Sequence, residues 1–315
     1  MSRRRLIDLA KVIVTAGLLA TVVLTVDLRQ IGHTLAAVQW GPLVGALVLY
    51  QLGLLVRAYR WQALLEGQGA HVGLRRLLGL YYVGTFYSDF LPSGFGGDAV
   101  RMFELARDGV GGPAAISTVL ADRVLGLLVL LAMALVALPF SAHLVPGAVV
   151  AVLLGLIGGS ALGLWLLLNR RLYAAVARLP LLGRVLRHEK VVALYDSCHC
   201  FPRRALARAA VASLAFNADL ILVQVCLAWA VGVQIGLGYF LVFVPIISAL
   251  LVLPISVSGF GVREGGYLVL FGQAGVAAGQ AVAMSLLSYG LNLATGVVGA
   301  ALYLVQGART LSAGR

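Results

Sequence analysis

The sequence predicts an all-α polytopic membrane protein with an inverted-topology repeat and two re-entrant helical hairpins that meet near the bilayer midplane. Three observations predict this fold. Hydrophobic residues make up 61% of the 315 residues, against about 45–50% in soluble domains. Several apolar segments reach the roughly 20 residues that a membrane-spanning helix needs. The tetrapeptide SGFG occurs twice, beginning at Ser93 and at Ser258, each time after a Leu-Pro and before charged residues.

Nine apolar segments set the order of the elements. They fall near residues 8–26, 41–60, 77–91, 114–138, 147–168, 206–232, 237–257, 266–278 and 280–306. Two of them, 77–91 and 266–278, are too short to cross a bilayer. No small-residue cleavage site follows the first segment, so we expect a retained helix there rather than a signal peptide.

Basic residues between the segments predict the orientation. The formal charge of +12 is typical of cytoplasmic loops, which collect Lys and Arg, and we expect no nucleic-acid partner. The basic stretch 169–208 is then the largest cytoplasmic loop, with an amphipathic surface helix. We expect an inner-membrane protein whose N- and C-termini are both cytoplasmic. The other arginines on the cytoplasmic side are Arg3, Arg4, Arg5, Arg309 and Arg315, and Arg57, Arg60, Arg75 and Arg76 bracket a second cytoplasmic loop.

Counting the crossings accounts for the repeated phrase. The number of crossings on either side places residues 61–76 and 101–113 both on the cytoplasmic side. The segment between them therefore cannot span the membrane. We expect it to enter the membrane, turn at LPSGFGG (91–97) and return. The same count makes 237–278 a hairpin that enters from the outside and turns at LPISVSGFGVREGG (253–266).

We therefore interpret residues 1–315 as a single transmembrane domain. It contains repeat one (41–138), the cytoplasmic basic loop (169–208) and repeat two (206–306). The alternative is coincidence, since Gly, Leu and Ser are abundant in this chain. The agreement of phrase, flanking charge and crossing parity favours the repeat, and opposite-facing repeats with broken helices recur among transporters.

The two predicted turns place polar backbone groups within the membrane. Pro92 and Pro254 end the incoming half-helices, because proline lacks an N–H, and the glycines that follow permit the chain to reverse. Each outgoing half-helix then begins with free N–H groups and the positive end of its dipole, which together bind anions.

Charged side chains accompany both turns. Asp98 and Arg101 follow the first, and Arg263 and Glu264 follow the second; segment 114–138 adds Asp122 and Arg123. A charge in the membrane costs about 2.5–3.5 kcal/mol on insertion scales, so it points to function. One alternative is that these groups only neutralise each other. We favour a mixed role, because arginine also binds phosphate and carboxylate ligands.

Other polar residues give weaker indications. Tyr81, Tyr82, Tyr87 and Asp89, near the first turn, either line a polar cavity or lie at the membrane interface. For Asn217, Asp219 and Gln224 we expect hydrogen bonds between helices. Cys198, His199, Cys200 and His188 do not have a standard zinc spacing, and we expect neither a metal nor a cofactor.

Three phrases in fixed order resemble a known family. They are LPSGFGGDAVR (91–101), ADRVLGLLVLL (121–131) and LPISVSGFGVREGGYLVLF (253–271). They resemble the flippase-like transmembrane domain of the lysylphosphatidylglycerol synthases (multiple peptide resistance factor), over about residues 10–306. The resemblance implies that a charged phospholipid moves between leaflets. It also implies that Arg101, Asp122, Arg123, Arg263 and Glu264 belong to the substrate cavity.

The resemblance has a limit at the C-terminus. The synthases continue into further helices and a soluble aminoacyl-transfer domain, whereas this sequence ends at Arg315. We therefore expect a stand-alone form that does not synthesise lysylphosphatidylglycerol. The candidate substrate-binding residues are Ser93, Gly94, Gly96, Gly97, Asp98, Arg101, Asp122, Arg123, Ser258, Gly259, Gly261, Arg263 and Glu264.

The expected function is translocation of a phospholipid or a lipid-linked headgroup, anionic or zwitterionic, and not an enzymatic reaction. No GxxxxGK[ST] pattern occurs, so we expect no ATP hydrolysis. One alternative is an intramembrane enzyme that acts on a lipid-linked phosphate or sugar, with paired carboxylates as acid and base, although HExxH and GxSxG motifs are absent. Another is a structural or regulatory membrane partner, and a homo-oligomer is compatible with each.

Overall fold

The structure is a computed structural model that describes residues 26–90, 96–141, 144–176, 188–252 and 256–313, together with positions 15, 17, 20, 21 and 24. The predictions for Pro92, Ser93, Gly94 and Pro254 lie outside these residues. Every regular element within them is helical, which confirms the all-α class. The α-helices of the described residues are α1 (Leu28–Ala36), α2 (Trp40–Gly67), α3 (Leu74–Phe90), α4 (Gly96–Arg107), α5 (Gly112–Ser141), α6 (Gly147–Leu168), α7 (Arg170–Val176), α8 (Glu189–His199), α9 (Arg203–Ala230), α10 (Leu237–Val252), α11 (Val262–Gln273) and α12 (Ala278–Ala313).

Five of the described helices are long and apolar enough to cross a membrane, namely α2, α5, α6, α9 and α12. The protein is therefore a multi-pass membrane protein. Large apolar side chains on the outside of these helices agree with contact to lipid: Val152, Leu154, Leu162 and Trp165 of α6 are 46–59% exposed. The two segments predicted to be too short to cross correspond to α3, with 17 residues, and α11, with 12.

Helix α2 extends further than the sequence predicts. The predicted segment ends at residue 60, with Arg57 and Arg60 at the edge of a loop. In the structure the helix continues to Gly67, and Arg60 is only 2% exposed. The helix therefore extends beyond the predicted segment and contains both arginines. The helix continues because the residues after Arg60 include Trp61 and Leu65, which are fully buried.

Helices α2 and α9 pack against each other in antiparallel orientation. Gly53 of α2 faces Asp219 of α9, and Gly67 at the end of α2 faces Ala205 near the start of α9. A Cβ atom on either glycine would collide with these α9 side chains. Glycine therefore lets the two helix backbones approach closely, as small residues do in membrane helix pairs.

Helices α3 and α4 form an antiparallel pair. At one end, the Arg76 Nε atom donates to Asp108 Oδ2 at 2.8 Å. Near the other end, the Gly97 backbone N–H donates to Ser88 Oγ at 3.1 Å. A Cβ atom on Gly97 would overlap with the Gly84 carbonyl oxygen, so glycine is required for this close contact.

Helices α10 and α11 form a second antiparallel pair. The rings of Phe243 and Phe271 lie 5.3 Å apart, and Gly259, just before α11, packs against Leu251. The chain reverses through left-handed backbone at Ser258 (φ 50°) and Gly259 (φ 80°). Among the described residues, Ser258 alone combines a side chain with a positive φ.

The two halves of the chain contain helices of similar length in the same order. α2 and α9 have 28 residues each, α3 and α10 have 17 and 16, and α4 and α11 have 12 each. The cross-contacts between the halves also correspond, because α12 packs against α3 and α5 packs against α10. One apolar core contains residues of α2 to α5, and a second, larger one contains residues of α5, α6 and α9 to α12, beside two smaller clusters.

Candidate functional site

Asp122 of α5 is the centre of a buried group of charges. It is 0% exposed. Its Oδ1 atom accepts a hydrogen bond from Arg60 Nε at 2.6 Å, and its Oδ2 atom accepts one from the Tyr81 hydroxyl at 2.7 Å. A single carboxylate therefore connects α2, α3 and α5.

Arg101 of α4 lies beside this carboxylate and is 2% exposed. Its Nη2 atom is 3.5 Å from Asp98 Oδ1 and 3.6 Å from Asp122 Oδ2. Its guanidinium carbon lies 4.2 Å from the ring centroid of Tyr81 and 4.6 Å from that of Trp61. Within the described residues, Nε and Nη2 of Arg101 have no hydrogen-bond partner. The residue is thus held by charge and by aromatic rings, with donor atoms still available.

Asp98 extends the group towards the surface of the helix bundle. It pairs with Arg101 and also with Arg123 of α5. The Arg123 side chain is 31% exposed, whereas that of Asp98 is 9% exposed. Arg123 is therefore the more exposed member of this pair.

Arg57 completes the group from α2. Its guanidinium carbon lies 4.8 Å from the ring centroid of Tyr81 and 5.3 Å from that of Phe216. It is close enough to Asp122 and Arg123 to interact electrostatically with both. We call the six charged residues of this site the arginine cluster; they are Arg57, Arg60, Arg101, Arg123, Asp98 and Asp122.

Two glycines make room for the cluster. A Cβ atom on Gly126 of α5 would lie 2.7 Å from Arg60 Nη1, and one on Gly84 of α3 would lie 3.3 Å from Arg101 side-chain atoms. The carbonyl oxygen of Gly126 also accepts a hydrogen bond from Asn217 Nδ2 at 3.0 Å. This bond between α5 and α9 confirms the role predicted for Asn217.

A second group of polar residues surrounds the start of α11. The Glu264 carboxylate accepts from the Gly261 backbone N–H at 2.6 Å and from Ser285 Oγ at 3.2 Å. It therefore satisfies a free donor at the helix N-terminus. Arg263 donates to the Ser258 carbonyl oxygen at 3.4 Å, and its guanidinium carbon lies 4.7 Å from the Tyr289 ring centroid.

A third polar network connects α2, α3 and α12. Asn292 donates to Asp89 Oδ1 at 2.6 Å and accepts from the Tyr50 hydroxyl at 2.9 Å. The Tyr82 hydroxyl donates to Gln51 at 2.7 Å. Tyr82 and Asp89 therefore belong to interior polar contacts. A separate bond, from the Tyr267 hydroxyl to Gln224 at 2.6 Å, joins α11 to α9 and confirms the helix-to-helix bond expected for Gln224.

The structure distributes the predicted site residues over two groups. The first unites Asp98, Arg101, Asp122 and Arg123 next to Gly96 and Gly97, which form the first turn of α4. The second unites Arg263 and Glu264 with Ser258, Gly259 and Gly261. Ser93 and Gly94 lie outside the described residues. That residues of both groups belong to one substrate cavity stays a prediction.

Sequence reasoning missed Arg57, Arg60 and the hydroxyl of Tyr81 as partners of Asp122. The signal for the two arginines was present. Trp61 and Leu65 continue the apolar pattern beyond Arg60, which indicates that the helix extends past both arginines and that they are not at its end. The Tyr81 contact had no local signal, because its partner is 41 residues away in the sequence.

The chain matches the model of a known protein family. The family described as "Lysylphosphatidylglycerol synthase TM region" matches residues 9–299. No curated protein matches the chain. In the described part of the chain, no group of three or more His, Cys, Asp and Glu side chains is arranged to hold a metal ion.

Proposed function

Because the chain belongs to the family of the lysylphosphatidylglycerol synthase TM region, we propose that it moves a phospholipid or lipid-linked molecule with a charged headgroup between the leaflets of the cell membrane. The lipid is not changed chemically, and no ATP is hydrolysed. Family membership supports a lipid-related membrane function. Translocation is the part of the proposal that must be argued from the site.

The arginine cluster is the observation that carries this proposal. Charged residues within membrane helices are expensive and mark pathways for polar substrates. Arg101 is held in place by Asp98, Asp122 and two aromatic rings, yet its Nε and Nη2 atoms have no hydrogen-bond partner among the described residues. Arginine donors of this kind suit the oxygens of a phosphate headgroup.

The helix pairs α3–α4 and α10–α11 support the proposal of re-entrant hairpins. At 1.5 Å per residue, the 17 residues of α3 span about 26 Å and the 12 residues of α4 about 18 Å, less than a hydrocarbon core of about 30 Å. Helical pairs that stop within the membrane leave the backbone N–H and C=O groups of their helix ends in the hydrocarbon region, where only protein or water can form hydrogen bonds with them. Such ends line the substrate sites of many transporters.

An inverted repeat gives the two hairpins opposite entry sides. The matching helix lengths, the antiparallel packing of α2 with α9 and the reciprocal contacts α12–α3 and α5–α10 all support this symmetry. In this arrangement α3–α4 enters from the cytoplasm and α10–α11 from the outside. Opposite entry provides a route for a headgroup from either leaflet to the same depth.

Cysteine labelling tests this topology. In a variant without native cysteines, cysteines introduced at the exposed positions Gly112 and Arg171 should react with an impermeant maleimide only from the cytoplasm, and a cysteine at the exposed position Ala277 only from the outside. The three positions lie at or near helix starts in the structure. Labelling of position 112 from the outside would mean that the hairpin pair α3–α4 crosses the membrane, and the inverted repeat would have to be abandoned.

Lipid exchange in liposomes tests the function. The purified protein should move labelled phospholipid between leaflets, and mass spectrometry should recover the lipid unchanged. Arg101→Ala and Arg263→Ala should abolish exchange while the protein remains monodisperse. Exchange at the normal rate by both variants would contradict the assignment of the site, and a chemically altered lipid would favour an intramembrane enzyme instead.

A further inference from the structure

We propose that the arginine cluster selects a lipid phosphomonoester, a headgroup with two negative charges on a single phosphate, and that Arg57 is the residue that sets this preference. The inference rests on the proposed translocation and names its substrate class. It differs from the expectation of any anionic or zwitterionic headgroup, because it requires a specific charge.

The charge balance of the arginine cluster is the first argument. The cluster contains four arginines and two aspartates that contact each other or the ring of Tyr81. It therefore has two positive charges in excess. Arg60 and Asp122 neutralise each other at 2.6 Å and are 2% and 0% exposed, so the excess belongs to Arg57, Arg101 and Arg123 together with Asp98. An uncompensated charge is costly inside a membrane, and an anionic ligand with two charges removes that cost.

The free donor atoms of Arg57 and Arg101 are the second argument. Both guanidinium groups lie against the ring of Tyr81, at 4.8 Å and 4.2 Å. Arg57 forms no ion pair with a described residue, and its buried Nε atom has no hydrogen-bond partner among them. Stacking on a ring leaves the in-plane N–H groups of a guanidinium available for oxygen ligands.

A phosphomonoester meets both requirements. It carries about −1.5 to −2 charges at neutral pH and has three strong acceptor oxygens. Two arginine forks can bind these oxygens with charge-assisted hydrogen bonds. A phosphodiester has a single negative charge and leaves one positive charge of the cluster unmatched. A zwitterionic headgroup leaves both unmatched and brings an ammonium group towards the arginines.

Binding to the unmodified protein is the first test. Native mass spectrometry and fluorescence titration would compare phosphatidic acid, phosphatidylglycerol and phosphatidylethanolamine with the same acyl chains, and inorganic phosphate as the soluble competitor. We expect phosphatidic acid to bind at least about tenfold more tightly than phosphatidylglycerol, because a hydrogen bond to a charged group contributes about 1.5–3 kcal/mol and about 1.4 kcal/mol is a factor of ten. Equal affinity for these lipids, or inorganic phosphate that binds as tightly as phosphatidic acid, would overturn the proposal.

Substitution of Arg57 is the second test. Arg57→Gln should reduce the affinity for phosphatidic acid by about tenfold to about a hundredfold and leave that for phosphatidylglycerol nearly unchanged, so that the preference disappears. Arg57→Lys keeps the charge and should retain part of the preference. The matched control is Arg75→Gln, at an exposed position at the start of α3. A preference that persists in Arg57→Gln would overturn the role of Arg57.

The pH dependence gives a readout that does not depend on folding of a variant. Because the second pKa of a phosphomonoester is near 6, its charge falls between about pH 7.5 and about pH 5.5. The preference for phosphatidic acid should therefore shrink on acidification, and a constant preference would contradict it. Selective binding without leaflet exchange would refute translocation and leave this inference standing. Exchange of all three lipids at equal rates would support translocation and refute the preference for a phosphomonoester.

Discussion

The substitution Asp122→Asn isolates the electrostatic contribution of the buried carboxylate. Asparagine has nearly the same shape, and its amide oxygen can still accept the hydrogen bond from the Tyr81 hydroxyl, now 2.7 Å from Asp122 Oδ2. What is lost is the negative charge opposite Arg60, at 2.6 Å, and beside Arg101, at 3.6 Å. Both arginines are 2% exposed, so water does not replace the lost partner.

The expected cost follows from the distance between the charges. Two charge centres about 4 Å apart interact by about 4 kcal/mol at an effective dielectric constant of about 20. Removal of one partner of a buried pair costs about 3–5 kcal/mol in measured cases. We therefore expect Asp122→Asn to lower the free energy of unfolding by about 4 kcal/mol. Adding Arg60→Gln should recover part of this loss, because both members of the pair are then neutral.

Reversible unfolding in mixed detergent micelles, followed by tryptophan fluorescence, measures these free energies. The control is Asp219→Asn, the same chemical change at a half-buried carboxylate of α9 for which the structure describes no ion pair. It should cost less than about 1 kcal/mol. A loss of less than about 1 kcal/mol in Asp122→Asn, or additive effects of Asp122→Asn and Arg60→Gln, would refute the view that the carboxylate holds the two arginines in place.

The remaining predictions concern packing, backbone and exposure. Gly97→Ala should destabilise the protein by about 1–3 kcal/mol, because its Cβ would meet backbone of α3. The control Gly265→Ala, whose Cβ meets no atom within 4 Å, should be neutral or stabilising. Thermal unfolding compares the two variants, and equal effects would contradict the close α3–α4 contact. Ser258→Val should cost about 1–2 kcal/mol at its left-handed φ of 50°, since branched residues disfavour that region, and Ser258→Gly should not; a tolerated valine would contradict the observed turn. Burial raises the pKa of the Cys198 thiol, so near neutral pH iodoacetamide should modify the exposed Cys200 first, as peptide mass spectrometry would show; faster reaction of Cys198 would contradict its position in α8.

Much of the fold could be predicted because apolar length is a local property. The segments 114–138 and 206–232 correspond to α5 (Gly112–Ser141) and α9 (Arg203–Ala230), and the glycine phrases fall between α3 and α4 and between α10 and α11 in the sequence. The end of α2 was predicted too early, because the arginines near residue 60 resemble the edge of a loop even though Trp61 and Leu65 continue the apolar pattern. The burial of the arginines depends on carboxylates and rings from other helices.

The candidate site was predictable in composition and only partly in arrangement. Asp98, Arg101, Asp122 and Arg123 are recognisable as charges that a membrane helix does not carry without a reason. The pairing of these charges is not encoded locally, since Arg60 and Asp122 are 62 residues apart. Likewise, the sequence predicts Glu264 as a site residue, whereas the structure shows that its carboxylate also accepts hydrogen bonds from the backbone N–H of Gly261 and the hydroxyl of Ser285.

The sequence by itself determined that this is a multi-pass helical membrane protein, and it predicted two short helical pairs beside the glycine phrases. It did so because hydrophobic length and backbone freedom depend on neighbouring residues alone. Only the tertiary structure decided which charges neutralise each other and which remain unmatched. Asp122 faces Arg60 and Tyr81, while Arg57 lies on the Tyr81 ring without an ion pair to any described residue. The physical reason is that a charge inside a membrane is stabilised by the groups around it in space, and helix packing brings those groups from distant parts of the chain.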